Sequence, residues 1–228
     1  MEPLTSVAIN PTDEAHLSVE RAAALLRQQV SLQAEASRVI AELDLPSALA
    51  SAGLPCLWGS YVTGLMAWRD LDVNVVAPGL DALAAFDVML PLLTHSHVTE
   101  ALYKNLVGGS GETALAADDR YFYMLKYWLD ARDQPDVALD VPAGERLWKV
   151  DISFWIADPP REESLPPAAI TSRLTEETRL AILWIKDTWR RLPEYRTSVY
   201  SVDIYQAVFD HGVRSPAEFA AYLAAREG

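Results

Sequence analysis

Several chemistries are excluded by what the chain lacks. Cys56 is its only cysteine, so an intrachain disulfide and a cysteine-based zinc cluster are both ruled out. The four histidines, His16, His95, His97 and His211, show no metal-ligand spacing. No local signature suggests a Ser-His-acid arrangement. No apolar run approaches the roughly twenty residues of a membrane span. The opening MEPLTSVAINPTDEAH is polar and acidic, without the apolar stretch of a secretory signal. A cytoplasmic protein is the expectation. Positive charge is scarce too, with 19 Lys and Arg against 32 Asp and Glu, a net charge of −13. So acidic a chain is a poor general binder of polyanions, which disfavours nucleic acid as a partner.

What is present is ample material for a core. Half of the 228 residues are hydrophobic, enough for one large domain or for one domain with a helical appendage. Residues 12–44 are rich in Ala, Leu, Arg, Gln and Glu and predict a helix, with Thr12-Asp13 as its cap. Leu45-Pro46 stops it, and a short helical piece precedes Gly53. LPCLWGS (54–60) reads as a first strand, GLMAWR as a turn or short helix, and LDVNVVA (71–77) as a second strand ended by Pro78-Gly79. A helix follows over 81–93. Three further strand-like segments occupy 98–108, 121–130 and 146–157, separated by turn-rich stretches. The Pro-rich segment 158–169 reads as a linker, and 174–192, 201–213 and 215–228 as helices, the last starting at Ser215-Pro216. The expected fold is α+β. A mixed sheet with flanking helices lies in residues 1–157, and a linker with a C-terminal helical bundle lies in residues 158–228.

Chemistry concentrates in GSYVTGLMAWRDLDVNVV (59–76). Strand alternation puts Asp70, Asp72 and Asn74 on one face and Leu71, Val73 and Val75 on the other. Two carboxylates side by side repel each other and are costly to bury, so a cation is expected with them. Magnesium is a hard ion that takes oxygen ligands and leaves room for phosphates. A pair of such ions about 3.5–4 Å apart stabilises both the attacking and the leaving oxygen of a displacement at phosphorus. RLWKVDISFWIA (146–157) offers a third acid. There Val150, Ile152 and Phe154 share one face, and Lys149, Asp151 and Ser153 the other. Opposite Asp70 and Asp72, Asp151 would be a further metal ligand or a general base. Gly59 lets the backbone approach a phosphate closely, and the Ser60 hydroxyl with nearby N–H groups can hold a triphosphate. Gly64 permits the turn back toward the acids. Lys149 and Arg69 could each steady phosphate charge, or pair with a neighbouring carboxylate.

The run G-S-x-x-x-G, then D-L-D, then a later apolar-D-apolar strand resembles the nucleotidyltransferase superfamily. That group includes DNA polymerase beta, the antibiotic nucleotidyltransferases and the small minimal nucleotidyltransferases. The resemblance spans roughly residues 54 to 157. It implies a mixed sheet with flanking helices, Mg²⁺, and transfer of a nucleoside monophosphate from a triphosphate such as ATP, with pyrophosphate leaving. It further implies that Gly59 and Ser60 are the phosphate-holding pair and that Asp70, Asp72 and Asp151 are the metal-binding or catalytic acids. Arg69 stands where the family often has Ser, and Val62 where it often has Ala; neither departure removes a catalytic group. The long insert before Asp151 sets that residue apart from the other two, with Asp118, Asp119 and Asp140 as substitutes.

Other signals point elsewhere. GGSGETA holds G-x-G-x-x-A, but the segment after it is too short and polar for the helix of a dinucleotide site. Without a following Lys-Ser/Thr it is not a P-loop. Trp155 shares the Asp151 face, whereas Trp148, Trp184 and Trp189 are expected in packing. Lys186, Arg190 and Arg191 are expected on a solvated helix side. The acids of 109–148 tilt the acceptor toward a neutral or cationic hydroxyl compound or a protein side chain. The rival readings are a non-catalytic nucleotide-binding or antitoxin-like module of the same fold, and a tRNA-end nucleotidyltransferase.

Overall fold

A computed structural model describes residues 10–13, 16–108, 118–130, 147–157 and 165–227. The remaining positions, among them the G-x-G-x-x-A loop, Glu112, Asp133, Asp136, Asp140 and Glu145, lie outside the described residues. The chain divides into two compact units. One is residues 30–167; the other joins residues 168–228 to the N-terminal segment ending at Gln29.

In the first unit the chain runs through most of α1 (Val19–Glu42), then α2 (Leu45–Leu49), β1 (Leu54–Trp58), α3 (Gly59–Thr63) and β2 (Asp70–Val76). It continues through α4 (Ala82–Leu93), β3 (Val98–Leu106), β4 (Arg120–Trp128) and β5 (Leu147–Trp155). Helix α1 starts later than expected. Asn10 Oδ1 accepts from both Thr12 N and Thr12 Oγ1, closing a separate turn, and Ser18 Oγ accepts from Arg21 N to cap the helix itself. Strand β1 also ends two residues early. Gly59 has φ +63°, which no pleated strand continues.

The five strands form one mixed sheet in the order β1-β2-β5-β4-β3. β2 and β5 are parallel and the other pairs antiparallel. This is the α+β architecture expected from the pattern. One face is the core. Leu71, Val73 and Val75 of β2, Val150, Ile152 and Phe154 of β5, and Tyr123 and Leu125 of β4 lie against α1, α2 and α4. Fully burying a residue of this size contributes about 1.5–3 kcal/mol. The alternation that fills the core leaves the other set of side chains, the acids among them, on the opposite face.

In the second unit, α5 (Pro167–Arg173), α6 (Glu176–Trp189), α7 (Ser201–His211) and α8 (Pro216–Glu227) complete the chain. Helix α5 begins inside the segment read as a linker, with Pro167 at its first position, where proline is tolerated. The expectation of a solvated side fails for Lys186, which is buried, while Arg190 is half-buried and Arg191 exposed. Residues from Ala181 to Trp189 are buried, Lys186 at 1% and Asp187 at 0% exposure. α6 packs against α7 and α8, as in the edge-on contact of Trp189 with Phe219 at 5.0 Å. Its two buried charged side chains have partners. Lys186 Nζ lies 3.4 Å from Tyr205 Oη. Asp187 accepts from Arg190 Nε at 3.2 Å, from Arg191 Nη2 at 3.1 Å, and from Arg21. Among the described residues no helix is long and apolar enough to cross a membrane.

Candidate metal and nucleotide site

The parallel pairing of β2 with β5 brings the acids together. In this register Asp72 stands beside Asp151, and Asp70 beside Lys149. Neighbours in register share a face, so Asp70, Asp72 and Asp151 project side by side. One oxygen from each lies within 4.8 Å of the others. Among the described residues no other His, Cys, Asp or Glu group of three or more meets that arrangement. Asp118 is buried elsewhere and Asp119 Oδ1 accepts from Gly108 N at 3.0 Å, so neither replaces Asp151. Asp70 is held further by Trp68 Nε1, which donates to its Oδ2 at 3.1 Å. Lys149 Nζ reaches Asp70 Oδ1 at 3.3 Å and also pairs with Asp151 Oδ2.

Gly59 and Ser60 stand at the edge of this cluster because β1 pairs with β2, Trp58 opposite Asp72. A Cβ built on Gly59 would come within 3.0 Å of Asp72 Oδ2. Only glycine combines that approach with φ +63°. The turn that follows is pinned. Leu65 N donates to Ser60 O at 2.9 Å, Gly64 closes the helical turn at φ +66°, and Gln33 Nε2 of α1 donates to Tyr61 O at 2.6 Å. The Ser60 hydroxyl makes no hydrogen bond to the described residues.

Arg69 pairs with a carboxylate. Its Nε and Nη2 donate to the two oxygens of Glu35 at 2.8 and 3.0 Å, a buried two-pronged pair. Trp148 Nε1 adds a third donor to Glu35 at 3.3 Å. This cluster supports the strand start from behind, since Arg69 immediately precedes Asp70 and its carbonyl accepts from Lys149 N at 3.2 Å. Glu35 escaped the sequence reading. Its place beside Leu32, Ala36 and Val39, the buried stripe of α1, was a usable signal, because a carboxylate on such a stripe needs a cationic partner. Trp155 Nε1 donates to Asn74 Oδ1 at 3.0 Å, and the Arg120 guanidinium lies 4.7 Å from the Trp155 ring centre. His95 and His97 lean on Tyr127, whose side belongs to the core rather than to the acids.

The donor set is three carboxylates that present only hard oxygens, with a side-chain-free glycine beside Asp72. That chemistry fits Mg²⁺ better than a softer ion.

No family model and no curated protein matches the chain. Among solved structures it is similar to one reported as the structural basis for the activity of a cytoplasmic RNA terminal U-transferase. The identity is 14% and the TM-score 0.42, over 84% of this chain and 46% of that one. The chain thus spans under half the length of that protein, and the likeness assigns no residue and no substrate.

Proposed function

We propose that the chain is a Mg²⁺-dependent nucleotidyltransferase that moves a nucleoside monophosphate, from ATP by preference, to a hydroxyl of a small molecule or a protein. The observation that carries this reading is the register of Asp72 with Asp151, with Asp70 on the same face and all three acids within reach of one ion. Bound there, Mg²⁺ would neutralise charge on the phosphates and act as a Lewis acid toward them. Asp70, Asp72 and Asp151 would hold it. The Gly59–Ser60 turn would hold the triphosphate through backbone N–H groups and the unengaged Ser60 hydroxyl. Asp151 takes the proton of the acceptor hydroxyl as its oxygen bonds to the α-phosphorus. The bond to the bridging oxygen breaks and pyrophosphate leaves. Catalysis of this kind is mostly positioning and charge stabilisation.

The acceptor reading now rests on the net charge of −13. Of the insert's acids, Asp118 is buried and Asp119 engages a backbone N–H, while most of the others lie outside the described residues. A neutral or cationic hydroxyl compound, or a protein side chain, suits so acidic a chain better than nucleic acid does. The test is a transfer assay with α-labelled ATP, GTP, CTP and UTP against amino sugars, bacterial protein extract and bulk tRNA. Label on amino sugar or protein, abolished in Asp70→Asn/Asp72→Asn, supports the proposal. Label passing chiefly to tRNA sinks the acceptor reading alone. Nucleotide binding without pyrophosphate release leaves a non-catalytic module.

A further inference from the structure

One group beside the acids already carries the kind of charge a metal would bring. Lys149 lies two residues before Asp151 on β5 and next to Asp70 of β2. Its ammonium reaches Asp70 Oδ1 at 3.3 Å and forms a closer pair with Asp151 Oδ2. Both carboxylates belong to the trio whose oxygens lie within 4.8 Å of one another. An ammonium has three donors and no acceptor. Spanning two of three prospective ligands, it takes up oxygens that a divalent ion would need. Lysine is a compact charge on a flexible four-carbon stem, so it can leave such a position without moving the strand. Arg69 differs. Its guanidinium is fixed two-pronged on Glu35 behind the strand.

We infer that Lys149 is an exchangeable counter-cation of the Asp70–Asp72–Asp151 cluster, holding Asp70 and Asp151 together in the metal-free chain and releasing both when a divalent ion binds. This rests on the metal-site reading above and adds a regulator to it. The chain avoids the mutual repulsion of three bare carboxylates, and metal affinity is set by a competition rather than by the acids alone.

The probe is Mn²⁺, titrated by calorimetry into the wild type, Lys149→Met, Lys149→Arg and Asp70→Asn/Asp72→Asn. Removing the competitor should tighten Mn²⁺ binding at least tenfold in Lys149→Met, while Lys149→Arg, which keeps the charge, stays near the wild type. A purely structural lysine would give unchanged or weaker binding in Lys149→Met, and that result overturns the inference. Binding lost in the double aspartate variant but indifferent to Lys149 leaves the metal site standing without its counter-cation. Absence of binding in both the wild type and Lys149→Met overturns both readings. Should Lys149→Met not fold, acetylation of the wild-type chain decides, read by mass spectrometry. Mn²⁺ should speed labelling of Lys149 severalfold while the exposed Lys104 is unaffected. Equal rates with and without Mn²⁺ would overturn the inference.

Discussion

Gly59 and Gly79 both hold a positive φ, +63° and +78°, yet their surroundings differ. A Cβ at Gly79 meets nothing within 4 Å, whereas one at Gly59 runs into Asp72 Oδ2. Gly79→Ala should therefore cost only backbone strain, about 1–2 kcal/mol, with Mn²⁺ affinity untouched. Gly59→Ala should cost at least as much in urea unfolding and also weaken Mn²⁺ binding by tenfold or more in calorimetry, because Asp72 must turn away. Equal effects of the two substitutions would refute the close approach. Tyr123 is a second informative position. Its hydroxyl is buried in the core with no hydrogen-bond partner among the described residues. Tyr123→Phe removes that unsatisfied group while keeping the ring against Phe154, so stability should hold or rise by up to about 1 kcal/mol. Burial pushes the Tyr123 and Tyr127 hydroxyls well above the ordinary tyrosine range, and the Glu42 carboxylate adds to the effect at Tyr127. Between the unfolded and folded values the folded chain keeps protons that the unfolded chain releases. The tyrosine contribution is therefore full below about pH 10 and is lost as pH rises through the folded values. Unfolding midpoints of Tyr123→Phe should fall less steeply above pH 10 than those of the wild type.

At the scale of elements, the strands that carry the acids were legible because each keeps strict two-residue alternation. Leu71, Val73 and Val75 and then Val150, Ile152 and Phe154 announce a buried face, and the polar residues between them an open one. The pairing of β2 with β5 was to be expected only from the chemistry, which asks for a third acid opposite Asp70 and Asp72, since no local pattern says which strands become neighbours when two others lie between them in sequence. The end of β1 was missed because Gly59-Ser60 directly follows an apolar run, while the deciding property was the backbone angle of Gly59. The packing of Trp184 and Trp189 was legible, but the burial of Lys186 beside them was not. Lys186, Arg190 and Arg191 read as a wet face; the i,i+3 and i,i+4 pairs of Arg190 and Arg191 with Asp187 were open to reading, but nothing local revealed that Arg21 joins them. These two buried carboxylates make a comparison. Glu35→Ala removes the partner of a nearly buried Arg69 and of the Trp148 indole, and should cost about 3–5 kcal/mol. Asp187→Ala frees guanidinium groups of which two are already about two-fifths exposed, so water can replace much of what is lost, and about 2 kcal/mol is expected. Urea titrations of the two variants check the order; a larger loss for Asp187→Ala would contradict it.

For the whole molecule, the excess of acids acts at long range. A field of this sign draws a cationic acceptor toward the chain and weakens as salt screens it within about 10 Å at 0.1 M. With an amino sugar as acceptor, KM should rise severalfold between 0.05 and 0.5 M salt, on the order expected for surface charges, while kcat changes little. A neutral polyol of the same size should show no such rise. A salt-independent KM for the amino sugar would mean that the net charge plays no part in capture.

The parallel pairing of β2 with β5 also has a bearing on time. Asp70 and Asp72 are made before Asp151, and the whole of β3 and β4 comes between them. Closing so long a stretch of chain carries an entropic cost before any contact rewards it, and such pairings form slowly. A nascent chain with β2 already exposed thus holds two of its acids and none of the third. On the reading proposed above, the site stays incomplete until β5 slots between β2 and β4.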